Sequence, residues 1–206
     1  MKILLPNRKG VNNALSVLRA GGVVAHATET CYGLACDLRN PGAVTKLFKI
    51  KQRPPDQPVS ALFSSIKEAK KYAEWNVEAD KLAEKYLPGP LTIVLPMRKT
   101  SALLPSPSRP PSPTLGIRLS SHPLAQQLVM EFASPLSTTS ANLHGRPNTY
   151  SPSDILEQFG HQACKPDLIL DSGAIQINPP STVVDLTQPI GGFFRRGAVN
   201  PQERLI

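Results

Sequence analysis

Gly22-Val-Val-Ala-His-Ala-Thr-Glu-Thr-Cys-Tyr-Gly-Leu34 is the stretch on which the reading of this chain turns. Gly22-Val-Val-Ala-His26 is a short apolar run behind a glycine pair, the pattern of a buried strand. The character then changes at once. Ala27-Thr28-Glu29-Thr30-Cys31-Tyr32-Gly33-Leu34 sets hydroxyls and a carboxylate directly after the strand. Such groups at a strand end either orient a small polar ligand or cap a turn with their own side-chain bonds. This stretch by itself leaves both readings open.

Upstream, residues 12–20 suit a short helix, with Asn12 as its cap, Leu15 and Leu18 on one face, and Gly21-Gly22 as its stop. Downstream, Asn40-Pro41 opens a helix running to about Lys51, with Val44, Leu47 and Phe48 as its apolar stripe. A strand over 59–63, helices over 66–75 and 77–87, and a strand over 91–95 follow. Beyond a proline-dense segment, 105–113, the pattern predicts strands at 115–119, 136–139, 168–170, 182–186 and 193–195, and helices at 123–132 and 153–159. Helices and strands alternate irregularly and the late strands crowd together. That favours an α/β domain on a mixed sheet over a regular doubly wound one.

The chain has 206 residues, 40% of them hydrophobic and 18% charged, which bounds it to one globular domain of ordinary size. Its 23 basic against 15 acidic side chains leave a formal +8, a surplus that points to a polyanionic partner. No apolar run reaches the ~18 residues of a membrane span, and the first residues lack the apolar core of a signal peptide. Three cysteines at no zinc-like spacing, Cys31, Cys36 and Cys164, read as buried free thiols in a reducing cytoplasm.

Motifs for the commonest phosphate loops, dinucleotide folds, serine hydrolases and zinc proteases are absent. Polar clusters at strand ends remain. Lys49, Lys51 and Arg53 put three cations within five residues, either a phosphate site or the solvated end of a helix. Arg118 sits in a strand with Ile117 and Leu119 on the opposite face, so it needs an anion, from a ligand or from an internal salt bridge. Ser137-Thr-Thr-Ser-Ala-Asn142-Leu-His-Gly145 is dense in hydroxyls at a strand-to-loop junction and can expose backbone N–H groups. Pro180-Ser181-Thr182-Val-Val-Asp185 and Phe194-Arg195-Arg196-Gly197-Ala198 add hydroxyls and two cations. Together these describe a site that works by positioning and charge stabilisation, with no metal cage.

The order of these clusters is more specific than any one of them. Thr28-Glu29-Thr30-x-Tyr32-Gly33-Leu34, Lys51-x-Arg53-Pro54, Pro88-Gly89-Pro90-Leu91-Thr92, Arg118 with His122-Pro123, Ser140-Ala141-Asn142-x-x-Gly145, Ser181-Thr182-Val183-Val184-Asp185 and Arg195-x-Gly197-Ala198 together resemble the YrdC/TsaC family, the threonylcarbamoyl-AMP synthases. The resemblance runs from about residue 10 to residue 200. It implies an α/β fold, a YrdC-like twisted mixed β-sheet with flanking helices and a concave basic cavity. It also implies a single domain over 1–206, the short form of the family.

The implied reaction makes threonylcarbamoyl-AMP and diphosphate from L-threonine, bicarbonate or CO₂, and ATP as a substrate accompanied by Mg²⁺. Downstream threonylcarbamoyl-transfer proteins then use the product on tRNA, which the basic surface could itself attract. By motif position the resemblance assigns Thr30, Arg118 and Thr138 to threonine. It assigns Lys51, Arg53, Gln57, Thr114, Ser140, Asn142, Asn148, Ser181 and Arg195 to ATP, with Lys51 and Arg53 also catalytic and Lys51 facing phosphates. It implies no protein metal ligands and no membrane. Departures are Ala27 for the family's usual Pro, Gln57 for Asn or Lys, Leu62 where longer relatives often place a His, Asn148 for Ser, and the long proline segment. Two other readings are a paralogue that binds RNA or nucleotide without chemistry, which the 5% aromatic content disfavours, and a relative with another carbamoyl acceptor.

Overall fold

Each described helix begins where a polar side chain accepts a hydrogen bond from the first turn, and these caps place the elements of the computed structural model. The structure describes residues 1–54, 59–101, 103, 113–188 and 192–201, without the side chains of residues 193 and 194. In chain order the elements are β1 (Lys2–Leu4), α1 (Arg8–Arg19), β2 (Val24–Ala27), β3 (Tyr32–Ala35), α2 (Pro41–Lys51), β4 (Ser60–Leu62), α3 (Ile66–Ala69) and α4 (Val77–Tyr86). There follow β5 (Leu91–Pro96), β6 (Thr114–Arg118), α5 (Pro123–Phe132), β7 (Leu136–Ser140), α6 (Pro152–Phe159), β8 (Leu168–Leu170), β9 (Thr182–Asp185) and β10 (Gly192–Arg195). Asn40 caps α2 by accepting from Ala43 N, and Ser151 and Asp154 cap α6 reciprocally.

Three local expectations are corrected. The cap of α1 is Asn7, which accepts from Gly10 N, while Asn12 lies inside the helix. The helix from 66 stops at Ala69, because Ala73 bridges Met97 and Arg98 donates from its Nε to the carbonyls of Lys70 and Ala73. Cys164 is exposed, while Cys31 and Cys36 are buried, and all three are free.

The described strands form one mixed sheet in the order β1-β8-β2-β3-β7-β4-β6-β5-β9-β10. Four pairs are parallel (β1–β8, β2–β8, β4–β6, β5–β9) and the other described pairs are antiparallel. β1 and β3 were not foreseen. Tyr32-Gly-Leu-Ala35 is buried at every residue, so it carries no alternation of polar and apolar residues to mark a strand. It pairs with β2 as a hairpin whose tip is Thr28–Cys31.

The two faces of the sheet differ, and the difference makes the site. One face packs Ala25, Leu34, Ala61, Ile93 and Ile117 into the larger core with Leu47 of α2 and Leu82 of α4. The other face is covered in part by α1 and α5, whose Leu15, Leu18, Leu128 and Phe132 pack on Val24, Leu62 and Leu136. Side chains two residues further along those strands, such as Ser60 and Thr138, stay on this second face beyond the cover of the helices. There they line a cavity. No helix among the described residues is long and apolar enough to cross a membrane.

Candidate functional site

A cavity of about 290 Å³ opens on the uncovered part of the second face. Its floor comes from strands: Ser60 of β4, Thr92 of β5, Arg118 of β6, Thr138 and Ser140 of β7, and Val183 of β9. Ser60 and Thr138 are direct cross-strand partners. Beside them β6 carries Gly116, where a Cβ would collide with Ser60 Oγ. Only a bare backbone leaves that hydroxyl its place. The rim comes from connections and element ends: Thr30 and Cys31 at the hairpin tip, Lys51 and Arg53 at the end of α2, the loop after β7, Pro180–Ser181, and Arg195 at the end of β10.

At one end stands Arg118. Its Nη2 donates to Glu29 Oε1 at 2.8 Å and to Thr30 Oγ1 at 2.8 Å. Ser120 Oγ donates to the other Glu29 oxygen, and Asn178 donates to the Glu29 backbone carbonyl at 2.9 Å. The ion pair is desolvated, with side chains 10% and 15% exposed. Burial works to raise the Glu29 carboxyl, but the charge of Arg118 and the bonds from Ser120 and Arg118 outweigh it. The carboxyl is held below its ordinary range. Arg118 Nε, buried, donates to no protein acceptor. Arg118 therefore has the internal partner that the sequence allowed, and it also lines the cavity. The hairpin tip is likewise a capped turn that also lines the site. Thr28 Oγ1 donates to Cys31 O at 2.6 Å and accepts from the amides of Thr30 and Cys31.

At the other end Lys51, 4% exposed, donates from Nζ to Ser140 O at 2.5 Å, Asn142 O at 2.8 Å and Asn142 Oδ1 at 3.2 Å. Burial, reinforced by the charge of Arg53, pushes its ammonium down to about 8. Burial also lowers Arg53 and Arg195 from their ordinary values. Cations that disfavour one another in a partly desolvated concavity favour an anionic ligand. Arg195 donates from Nε to Ser181 O and from Nη2 to Ser181 Oγ, each at 2.9 Å, and Ser181 Oγ lies 3.2 Å from Thr92 Oγ1. The return of the chain past Arg195 is clasped by buried Thr182, whose Oγ1 accepts from Gly197 N and Val199 N and donates to Val199 O. At Gly197 a Cβ would run into Pro180 O, so glycine permits this close approach.

Ten of the residues expected from the sequence line this one cavity: Thr30, Lys51, Arg53, Arg118, Thr138, Ser140, Asn142, Asn148, Ser181 and Arg195. Thr114 does not. It begins β6, four residues before Arg118, which along a strand is roughly 13 Å away. Gln57 and the proline-dense segment up to residue 112 lie outside the described residues. Sequence reasoning did not single out Ser60, Cys31, His144 or Val183 as site residues. Ser60 could have been found from its pairing with Thr138, had the register been known.

Among the described residues no Asp or Glu lines the cavity, and no group of three His, Cys, Asp or Glu that could hold a metal occurs. The described lining therefore does not fit a resident divalent cation, which takes carboxylate oxygens. Among the described residues no Phe, Tyr or Trp lines it either.

Comparison with known proteins agrees with this geometry. The family model Sua5/YciO/YrdC, described as telomere recombination, matches residues 16–197. The threonylcarbamoyl-AMP synthase of Pyrococcus abyssi is 35% identical over 192 residues, covering 92% of this chain and 54% of that relative. That of Vibrio cholerae is 36% identical over 157 residues, covering 75% of this chain and 82% of the relative. The crystal structure of P. abyssi Sua5 complexed with L-threonine superposes with a TM-score of 0.86 at 30% identity, covering 98% of this chain and 58% of that one. The chain thus spans about half the length of its archaeal relative and most of the bacterial one. With the ordered motifs, the mixed sheet and the match over most of its length, the chain belongs to the Sua5/YciO/YrdC family.

Proposed function

We propose that the chain is a threonylcarbamoyl-AMP synthase that joins L-threonine, bicarbonate or CO₂, and ATP into threonylcarbamoyl-AMP with release of diphosphate. The observation that carries this reading is that one cavity holds an arginine oriented by an ion pair at one end and the buried cations Lys51 and Arg53 at the other. In this reading the threonine carboxylate meets Arg118, whose Nε has no protein acceptor, with Thr30 and Thr138 beside it. The related P. abyssi Sua5 crystallised in complex with this same amino acid, which supports the choice of threonine.

ATP occupies the end bounded by Arg53, Ser140, Asn142, Asn148, Ser181 and Arg195. The threonine amine attacks CO₂ or bicarbonate, a carbamate oxygen attacks the α-phosphorus, and diphosphate leaves. Arg53 and Arg195 offset the negative charge that gathers on the departing phosphates. Mg²⁺ belongs to ATP as part of the substrate, and no protein ligand is assigned to it. Thr114 is left out of the nucleotide set on its position. A cytoplasmic setting, and delivery of the product to proteins that modify tRNA, complete the reading.

Incubation with ATP, threonine and labelled bicarbonate tests it by diphosphate release. Release that requires threonine supports the reading, and release indifferent to threonine overturns it. Arg53→Ala and Arg118→Ala are each expected to lower the rate at least a hundredfold. Unchanged rates place the chemistry elsewhere.

A further inference from the structure

We infer that Lys51 is a positioning residue, which holds the loop after β7 in place for a nucleotide rather than contacting phosphate itself. A lysine ammonium has three N–H donors and no more. All of them have protein acceptors: Ser140 O at 2.5 Å, Asn142 O at 2.8 Å and Asn142 Oδ1 at 3.2 Å. The backbone of the same residue holds the loop a second time, since His144 N donates to Lys51 O at 2.8 Å.

Lys51 is thus bound at both ends to one stretch of chain. It is also the last residue of α2, where Gln52 takes φ 51 and turns the backbone away. That stretch supplies Ser140, Asn142, His144, Gly145 and Asn148 to the cavity wall. Its other bonds are partly local, Asn142 Nδ2 donating to Arg146 O at 2.5 Å, Ser140 Oγ to Asn142 Oδ1 at 2.6 Å and Thr149 Oγ1 to Ala141 O at 2.9 Å, and partly to β3, where Ala141 N donates to Tyr32 O at 2.8 Å and Tyr32 N donates to Thr149 O at 2.9 Å. Its ties to α6 are Gln158 Oε1 accepting from Leu143 N and Gln158 Nε2 donating to Pro147 O, each at 3.0 Å. Turning Nζ toward a phosphate would give up at least one of these three bonds in a buried setting, which is unfavourable.

The inference rests on the nucleotide reading above, and the experiment separates the two. Adenosine, which has no phosphate, is compared with ATP by calorimetry on wild type and Lys51→Met, and amide hydrogen exchange is followed over residues 141–149. A positioning role predicts that both ligands weaken by a similar factor, tenfold or more, and that His144 and its neighbours exchange at least tenfold faster. A direct phosphate contact predicts weaker ATP, unchanged adenosine and unchanged exchange, and overturns the inference. If Lys51→Met does not fold, Lys51→Arg keeps charge and donors but brings a bulkier, planar head. Positioning then predicts loss of both ligands, whereas phosphate contact predicts ATP affinity near that of wild type. Wild type that binds neither ligand refutes the nucleotide reading alone, and the exchange measurement still decides the role of Lys51.

Discussion

The two ends of the cavity each bury a cation, and they settle its charge in opposite ways. Arg118 faces the carboxylate of Glu29, so the pair is neutral as a unit and its geometry is held by Ser120 and Thr30. Lys51 faces only neutral oxygens, and Arg53 stands close enough to push its ammonium down further. One end is thereby oriented as an ion pair, suited to recognising a small zwitterion by direction. The other gathers Lys51 and Arg53, whose charges oppose one another, suited to a polyanion. The difference teaches that the +8 of the chain matters here through where its cations are placed, rather than through its total.

The sharpest way to break this contrast is to remove the anion at the ion-paired end. Glu29→Ala leaves a desolvated Arg118 alone, a loss of about 3–5 kcal/mol. Lys51→Met removes a charge whose partners are neutral, a loss of about 1–3 kcal/mol. Urea unfolding measures both. Equal losses would mean that the two ends are not electrostatically distinct.

A second effect belongs to the Arg118 end. His26, fully buried on β2, is held neutral down to about 4, chiefly by burial, with His122 and Arg118 opposing its charge and Ala27 O and Glu29 favouring it. The unfolded chain takes up that proton near 6.5, so stability falls as pH drops from about 6.5 to about 4. The fall is about 3 kcal/mol, and His26→Asn is expected to abolish most of it. Urea midpoints at pH 7, 5.5 and 4 in both proteins measure this. A slope indifferent to the substitution would assign the titration to another group.

The smallest effect belongs to the Lys51 end and has the opposite direction in pH. As pH rises through about 8, Lys51 loses a proton and one of its three donors. ATP affinity is expected to fall on the order of tenfold between pH 7.5 and 9.5, while threonine affinity changes little. Calorimetry across that range measures it, and parallel losses for both ligands would erase the distinction between the ends.

Much of this was legible in the residues. Asn40-Pro41 started a helix, Leu15 and Leu18 faced a core, and ten of the expected site residues share the cavity lining. What was not legible has definite causes. β3 is buried on both faces and so has no period to read. Asn12 offered the chemistry of a cap, but the helix begins earlier because Asn7 is free to accept from Gly10. Thr114 has the right residue type in the strand of a site arginine, yet it is not among the residues that line the cavity.

The amino-acid order by itself determined most of the elements, the cations and the succession of polar turns, because caps, periodicity and motif spacing act over a few residues. Only the tertiary structure decided which charge answers which. Glu29 and Arg118 are 89 residues apart, as are Lys51 and the Ser140 carbonyl that it holds. Such partners meet through sheet register and loop closure. A buried charge is then settled by whatever the fold brings within about 3 Å of it, which no local pattern encodes.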